Sequence, residues 1–278
     1  MLLYHTTAGP VAEYEGRTYS LARFTWNELV NRDDLLSFLI FTVAQMQPLA
    51  ASLRSADLLA PIGDQQEVWA AGVTYFRSRT ARMEEAQVGG NDGNFYDKVY
   101  HADRPELFFK ATPHRCVGHG QPMHLRRDST WMVPEPELTL VITRSGKVIG
   151  YTAGNDLSCR DIEGENPLYL PQAKTFARCA AIGPAVRVID TLPAPDTNIH
   201  IEIERASATI FQGSTDLSQM KKTLPALVEH LFRDNDFPHG CLLMTGTGTV
   251  PTNDFTLQIG DITHISIDGV GTLTNSMA

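Results

Sequence analysis

From residue 106 onward, short apolar runs are spaced by polar and turn-forming residues, and several alternate at the two-residue period of a half-buried strand. The pattern predicts strands over residues 107–110, 137–143, 148–153, 185–189, 198–204, 208–211 and 261–267, with one clear helix over 223–232. Strands at that spacing argue for a sheet sandwich or roll with few helices, and parallel βαβ units fit poorly. The first sixty residues read differently. Short apolar pieces over 12–24 are broken by Gly16, and Asn31-Arg32-Asp33-Asp34 then offers helix caps ahead of the apolar run 35–43. A second helical stretch is expected through Leu59, and Ala60-Pro61-Ile62-Gly63-Asp64 is a turn-rich boundary. The expected organisation is α+β: a small N-terminal α+β domain over 1–62, then a mixed β-sandwich roll over 63–278. Residues 79–87 are helix-compatible, and Gly89-Gly90-Asn91-Asp92-Gly93-Asn94 behind them is glycine-rich. A helix with such a hinge has the profile of a lid.

Charge narrows the partners. Of 278 residues, 23 are Lys or Arg and 32 are Asp or Glu, a net charge of −9. Such a chain repels phosphate backbones and anionic lipid, so neither nucleic acid nor a membrane is an expected partner. The run 35–43 is far short of the roughly 20 residues that span a bilayer. Met1-Leu2-Leu3-Tyr4-His5 carries no basic segment of the signal-peptide kind. Four cysteines without CxxC spacing fit reduced, buried thiols, so a cytoplasmic location is expected. Nine histidines show no HExxH, and His114, His119 and His124 fall five apart, a spacing of neither helix nor strand face. Gly246 and Gly248 are followed by no Lys-Ser or Lys-Thr, and no GxGxxG opens a helix, so phosphate-loop and dinucleotide sites are not expected.

The candidate chemistry lies at Val133-Pro134-Glu135-Pro136-Glu137 and Gly154-Asn155-Asp156. Residues two apart on a strand share a face, so Glu135 and Glu137 point together. Arg144-Ser145-Gly146-Lys147 between them reads as a tight hairpin turn. Closing that turn on Arg144 and Lys147 puts Glu135 opposite Asp156 and Glu137 opposite Gly154, with facing Cβ atoms roughly 5 Å apart. Three carboxylates so close repel one another unless a cation joins them. Oxygen-only ligands favour Mg²⁺, with Ca²⁺ or Mn²⁺ as further choices, over zinc. Three solvated acids at a hairpin end fit the same spacing. The stiffening prolines around Glu135 favour an ion site.

At these residues the chain resembles the fumarylacetoacetate hydrolase family. The resemblance rests on Glu135-Pro136-Glu137, on Asn155-Asp156-Leu157-Ser158-Cys159-Arg160-Asp161, and on Lys174 within Gln172-Ala173-Lys174-Thr175-Phe176. It continues through Met244-Thr245-Gly246-Thr247-Gly248, Leu257-Gln258-Ile259-Gly260-Asp261 and the segment 269–275, covering about residues 65–276. It implies a mixed β-roll, a divalent cation on Glu135, Glu137 and Asp156, and a homodimer or homotetramer. Family members that hydrolyse carbon–carbon bonds carry Tyr-x-x-His, whose His helps activate water; here Tyr75 is followed by Ser78 at that place. The segments 75–79, 104–110 and 163–171 look most like the branch of 2-keto-3-deoxy-sugar-acid dehydratases.

That branch implies a small 2-keto acid as substrate. A divalent cation polarises the C2 carbonyl and acidifies C3; removal of a C3 proton gives an enolate, and the C4 hydroxyl leaves. A 2-keto-3-deoxy-pentonate such as 2-keto-3-deoxy-D-arabinonate would give 2,5-dioxopentanoate. Lys174 is the first candidate for proton transfer or for holding the enolate oxygen, and Glu106 is the second acid or base. Burial would lower the pKa of Lys174, and neighbouring carboxylates would raise it. Arg77, Ser78 and Arg79 are expected to bind the substrate carboxylate or hydroxyls, with at least one of them serving only as an ion-pair partner. Thr247 is a further hydroxyl-binding candidate. Arg160 and Asp161 are expected to orient Asp156 from behind. Two other readings stay open: a carbon–carbon hydrolase of 2,4-diketo acids, and a sugar-acid binding protein without turnover.

Overall fold

The computed structural model describes residues 1–50, 52–88 and 94–278, so the glycine-rich hinge of the expected lid lies outside the described residues. The chain opens with strands β1 (Leu2–Thr6), β2 (Gly9–Tyr14) and β3 (Arg17–Ser20), then helices α1 (Trp26–Val30) and α2 (Leu35–Val43). Next come β4 (Glu67–Gly72), α3 (Phe76–Val88), α4 (Asn94–His101), β5 (Glu106–Ala111), and the short β6 (Cys116–Val117) and β7 (Met132–Val133). The central hairpin is β8 (Pro136–Ile142) and β9 (Val148–Asp156), followed by β10 (Ser158–Cys159), α5 (Arg160–Glu165) and α6 (Leu170–Lys174). The remainder is β11 (Ala180–Val188), β12 (Asn198–Arg205), β13 (Ala208–Asp216), α7 (Leu224–Phe232), β14 (Cys241–Met244), β15 (Ile262–Ile267) and β16 (Gly271–Ser276).

One long sheet runs β3-β2-β1-β11-β9-β8-β14-β4-β5, with β6 beside β11; a second runs β13-β12-β15-β16. Pairing is antiparallel except for β14 with β4 and β11 with β6. Strand β8 shows why the architecture closes. Leu138, Leu140 and Ile142 on one face join Ile199, Ile201, Ile203, Ile265, Ile267 and Leu273 of the second sheet in one core. Val141 on the other face joins Ile149, Val186 and Val188 against Trp26, Leu29, Val30, Leu35, Leu39 and Val43 of α1 and α2. A strand covered on both faces reads as an unbroken apolar run. The same reason hid β14 from the alternation pattern: Cys241–Met244 is apolar throughout and fully buried.

The structure corrects several expectations. The helical stretch through Leu59 is absent; among the described residues after α2, the only helical turn before β4 is Ser55–Asp57. Pro48 lacks an N–H and turns its predecessor away from helical dihedrals. The cluster Asn31–Asp34 does not cap α2 with side chains, since Asp34 makes no such bond. It clamps the turn of the central hairpin instead. Asp33 accepts from the hydroxyls of Thr143 (2.7 Å) and Ser145 (2.8 Å), and Asn31 Oδ1 accepts from Arg144 N (3.1 Å). Those hydroxyl donors hold the Asp33 carboxyl below its ordinary pKa. Strand β11 starts at Ala180 rather than at 185, because a register shift between Gly183 and Arg187 takes up Pro184, which cannot donate to a regular ladder. No helix among the described residues is long and apolar enough to cross a membrane.

Ile201 is fully buried between the two sheets. Ile201→Ala is expected to cost about 2–5 kcal/mol, read as a lowered urea midpoint at unchanged slope.

Candidate active site

The central hairpin sets the acid cluster. Pro136 pairs with Asn155, Glu137 with Gly154, and so on to Val141 with Gly150, the register the sequence predicts. It is reached by another route. The turn closes on Thr143 and Lys147, whose N–H···O distance is 2.9 Å, and a register shift between Val141 and Ile142 restores the expected pairing. Asp156 N donates to Glu135 O at 3.0 Å, so those two residues do face each other. Glu135, Glu137 and Asp156 are buried, and each offers an oxygen within 4.8 Å of the other two.

Cations surround this cluster. Lys174, at the end of α6 and 1% exposed, directs Nζ at Glu135 Oε2 (2.8 Å), Asp156 Oδ2 (2.9 Å) and Ser158 Oγ (2.6 Å). Arg160 Nη2 lies 2.8 Å from Glu135 Oε1. Lys110 Nζ, fully buried on β5, lies 2.6 Å from Asp156 Oδ1 and donates to the carbonyls of Leu157 (3.0 Å) and Lys174 (2.5 Å). Arg82 of α3 pairs with the buried Glu163 of α5 at 3.2 Å. Glu137 is held otherwise: it accepts from Gly246 N at 2.5 Å and has no cationic partner at ion-pair distance among the described residues. Gly246 has φ +93°, and a Cβ there would collide with the Thr74 hydroxyl, so only glycine brings that N–H to Glu137.

A cavity of about 20 Å³ sits at the cluster, lined by Gly72, Ser78, Arg82, Phe108, Glu135, Glu137, Asp156, Arg160, Lys174 and Thr247, among others. That volume holds a water or a small ion; a five-carbon acid requires the wall to move. Larger grooves exist, one of about 750 Å³ beside Phe95, Val99 and Leu168, but they do not gather the carboxylates.

Residues 68–278 match the family model described as fumarylacetoacetate (FAA) hydrolase C-terminal. The chain belongs to the fumarylacetoacetate hydrolase family. Within the family it is 47% identical, over 77% of its length and 73% of the relative's, to "Probable 2-keto-3-deoxyxylonate dehydratase" of Haloferax volcanii. It is 45% identical, over 76% of its length and 71% of the relative's, to "2-dehydro-3-deoxy-D-arabinonate dehydratase" of Saccharolobus solfataricus. A solved "2-keto-3-deoxy-D-arabinonate dehydratase complexed with magnesium and 2,5-dioxopentanoate" superposes with TM-score 0.83 at 33% identity, covering 99% of this chain and 97% of that one.

The acid cluster suits the cation that the family implies. Oxygens bound about 2.0–2.6 Å from one ion lie at most about 5 Å apart, which the 4.8 Å spread satisfies. The charges point the same way. Burial and then the charges of Asp156 and Glu135 push the Glu137 carboxyl well above its ordinary pKa. Burial opposes ionisation of Glu135 too, but Lys174, Arg160 and Arg82 outweigh it and hold that carboxyl at about 2. Burial would discharge Lys174, yet Asp156, Glu135 and Glu163 override it and push its pKa up. Lys174 is therefore an ammonium in this setting.

Among the other expected residues, Ser78 and Thr247 line the cavity. The Ser78 hydroxyl caps α3, donating to Tyr75 O (2.8 Å) and accepting from Tyr75 N (3.1 Å). The Thr247 hydroxyl donates to Thr249 O at 2.9 Å. Arg79 pairs with Asp97 of α4 (Nε–Oδ1 2.7 Å), and neither it nor the half-buried Arg77 lines the cavity. Asp161 does not orient Asp156: it accepts from Ser129 Oγ (2.6 Å) and Thr130 N (2.6 Å), fastening the loop before β7. Arg160 grips Glu135 rather than Asp156. Glu106 has its Oε2 sealed from solvent, against Gly72 of the cavity wall and without a hydrogen-bond partner; burial first, then Glu163 and Glu135, raise its pKa over the opposing pull of Arg82 and Lys174. Sequence reasoning missed Lys110, Arg82 and Glu163. A lone lysine inside the apolar run Leu107-Phe108-Phe109-Lys110-Ala111, and the one-turn spacing of Ser78 and Arg82 on a helix, were the available signals.

A carboxyl whose pKa is higher folded than unfolded weakens the fold at neutral pH. Glu137→Gln is expected to raise the melting temperature in chelator by about 2–4 °C, the shift for roughly 1 kcal/mol in a domain of this size. It should also abolish the further rise that a divalent cation produces in the parent protein. A lower melting temperature with an intact cation response would count against an ion site here.

Proposed function

We propose that this protein is a Mg²⁺-dependent dehydratase that converts a 2-keto-3-deoxy-pentonate, such as 2-keto-3-deoxy-D-arabinonate, into 2,5-dioxopentanoate and water. The observation that carries the reading is the buried Glu135–Glu137–Asp156 cluster with the Lys174 ammonium laid across two of its members. The likeness to dehydratases at 45–47% identity supports it. Glu135, Glu137 and Asp156 would hold the ion, which when bound supplies Lewis-acid polarisation of the substrate's C2 carbonyl.

The chain's own groups divide the remaining work. Lys174, kept charged by its carboxylate neighbours, holds negative charge developing on the substrate oxygen and delivers a proton to the leaving C4 hydroxyl. Glu106, with a raised pKa, is a stronger base than an ordinary carboxylate and takes the C3 proton. Arg82 and Arg160 line the cavity with guanidinium N–H donors suited to the substrate carboxylate. The Ser78 hydroxyl, spent on the Tyr75 backbone, is no base for activating water, which disfavours carbon–carbon hydrolysis. Because the cavity is far smaller than the substrate, α3, which carries Ser78 and Arg82, acts as the lid that makes room. We further propose that residues 1–62 are a unit added to the family domain, in keeping with a family match that begins at residue 68. A homodimer or homotetramer and a cytoplasmic location complete the proposal.

Incubation with Mg²⁺ and 2-keto-3-deoxy-D-arabinonate is expected to yield a semialdehyde, read in a coupled dehydrogenase assay and abolished by chelator. Lys174→Met should lower kcat at least ~100-fold. Pyruvate plus a two-carbon fragment would replace the dehydratase reading with a carbon–carbon cleavage. Binding without turnover, indifferent to Lys174→Met, would make the protein a binder.

A further inference from the structure

Lys110 has no place in the chemistry described so far, yet it is one of the largest fully buried side chains in the molecule. It stands on β5 and is not among the residues that line the cavity. An ammonium carries three N–H groups, and three oxygens stand within reach of this one. Asp156 Oδ1 lies 2.6 Å from Lys110 Nζ, and the carbonyls of Leu157 and Lys174 accept from it at 3.0 Å and 2.5 Å. Those oxygens come from two places: Asp156 ends β9 with Leu157 directly after it, and Lys174 ends α6. The last carbonyls of a helix have no partner further along it. Lys110 therefore caps α6 and ties that end to Asp156 with one charged group.

Asp156 is thereby held at both oxygens, Oδ1 by Lys110 and Oδ2 by Lys174 at 2.9 Å. Contacts at both ends of a carboxylate fix the torsion about its Cβ–Cγ bond. Lys174 lines the cavity and Lys110 does not, so Oδ2 is the oxygen on the cavity side. The two lysines are also crossed. The Phe108 ring of β5 lies 5.6 Å from Lys174 Nζ, and the Phe176 ring, just past α6, lies 5.5 Å from Lys110 Nζ. Thr175 Oγ1 donates to Phe109 O at 3.2 Å along the same seam. Strand β5 and the end of α6 thus form one joint, and Lys110 is the part of it that reaches the acid cluster. Without that ammonium, two buried carbonyls and a carboxylate oxygen would lose their partner, and Asp156 would be free to turn.

We propose that Lys110 is a positioning residue: it holds Asp156 Oδ1 and the carbonyl that ends α6, so that Asp156 presents Oδ2 to the divalent cation with Lys174 seated beside it. The catalytic part of this inference rests on the proposed dehydratase activity; the ion-binding part does not.

The test is Mg²⁺ titrated calorimetrically into Lys110→Met without substrate, together with kcat at saturating Mg²⁺. Taking away a nearby positive charge by itself favours a cation on the cluster, so a purely electrostatic role predicts tighter Mg²⁺ binding. Loss of positioning predicts the opposite: Mg²⁺ binding weakened about tenfold or more, and kcat lowered about tenfold or more. A purely structural role would lower the melting temperature and leave the Mg²⁺ dissociation constant and kcat of the folded protein unmoved. Tighter or parental Mg²⁺ binding by folded Lys110→Met overturns the proposal, and parental kcat overturns its catalytic part. Should the variant fail to fold, a crystal structure of the parent protein with Mg²⁺ decides. Lys110 Nζ on Asp156 Oδ1 with the ion on Oδ2 is expected; the ion on Oδ1, or Lys110 turned away from Asp156, overturns the proposal. A parent protein that binds Mg²⁺ but turns over no sugar acid would sink the dehydratase reading and leave the ion-binding part standing.

Discussion

The Lys174 ammonium sits between two carboxylates at the open end of the β8–β9 hairpin, 2.8 Å from Glu135 and 2.9 Å from Asp156, with all three buried. Isolated charges in such a place are prohibitively costly, and only mutual pairing makes the arrangement stable. The site must therefore be balanced as a whole. Among the described residues, Lys110, Lys174, Arg82 and Arg160 face Glu106, Glu135, Glu137, Asp156 and Glu163.

Such a cluster needs a rigid frame, and the frame is the β8–β9 hairpin. Both faces of β8 are covered, one by the second sheet and one by α1 and α2, so its register is held by two cores at once. Asn31 and Asp33 clamp its turn from the N-terminal segment. Residues far from the chemistry in sequence and space thus decide where Glu135 and Asp156 point. This is the structural reason that β1, paired to β11, and the first two helices belong to the working molecule.

Local rules made some of this legible. Strand periodicity and a short turn are near-neighbour properties, and they were enough to bring Glu135 opposite Asp156. The turn itself was read one residue off at Arg144, and the bulge near Ile142 compensated, so the facing pair came out correctly. The helices over 35–43 and 223–232 also followed from local pattern, the second with Thr223 as its cap rather than its first residue. Where proline intervenes, local reading failed in both directions. Pro48 falls within the stretch expected to be helical through Leu59, where α2 has already ended at Val43, and Pro184 concealed the first residues of β11.

What the chain's own order determined was the hairpin, the acids on its face, and the family to which those motifs belong, because neighbours in sequence are neighbours on a strand. What tertiary structure decided was the cationic half of the site. Lys110 and Arg82 come from β5 and α3 to join Arg160 of α5 and Lys174 of α6, and no spacing rule links them. They converge because a buried negative cluster requires compensation, and only the packed fold shows which distant side chains supply it.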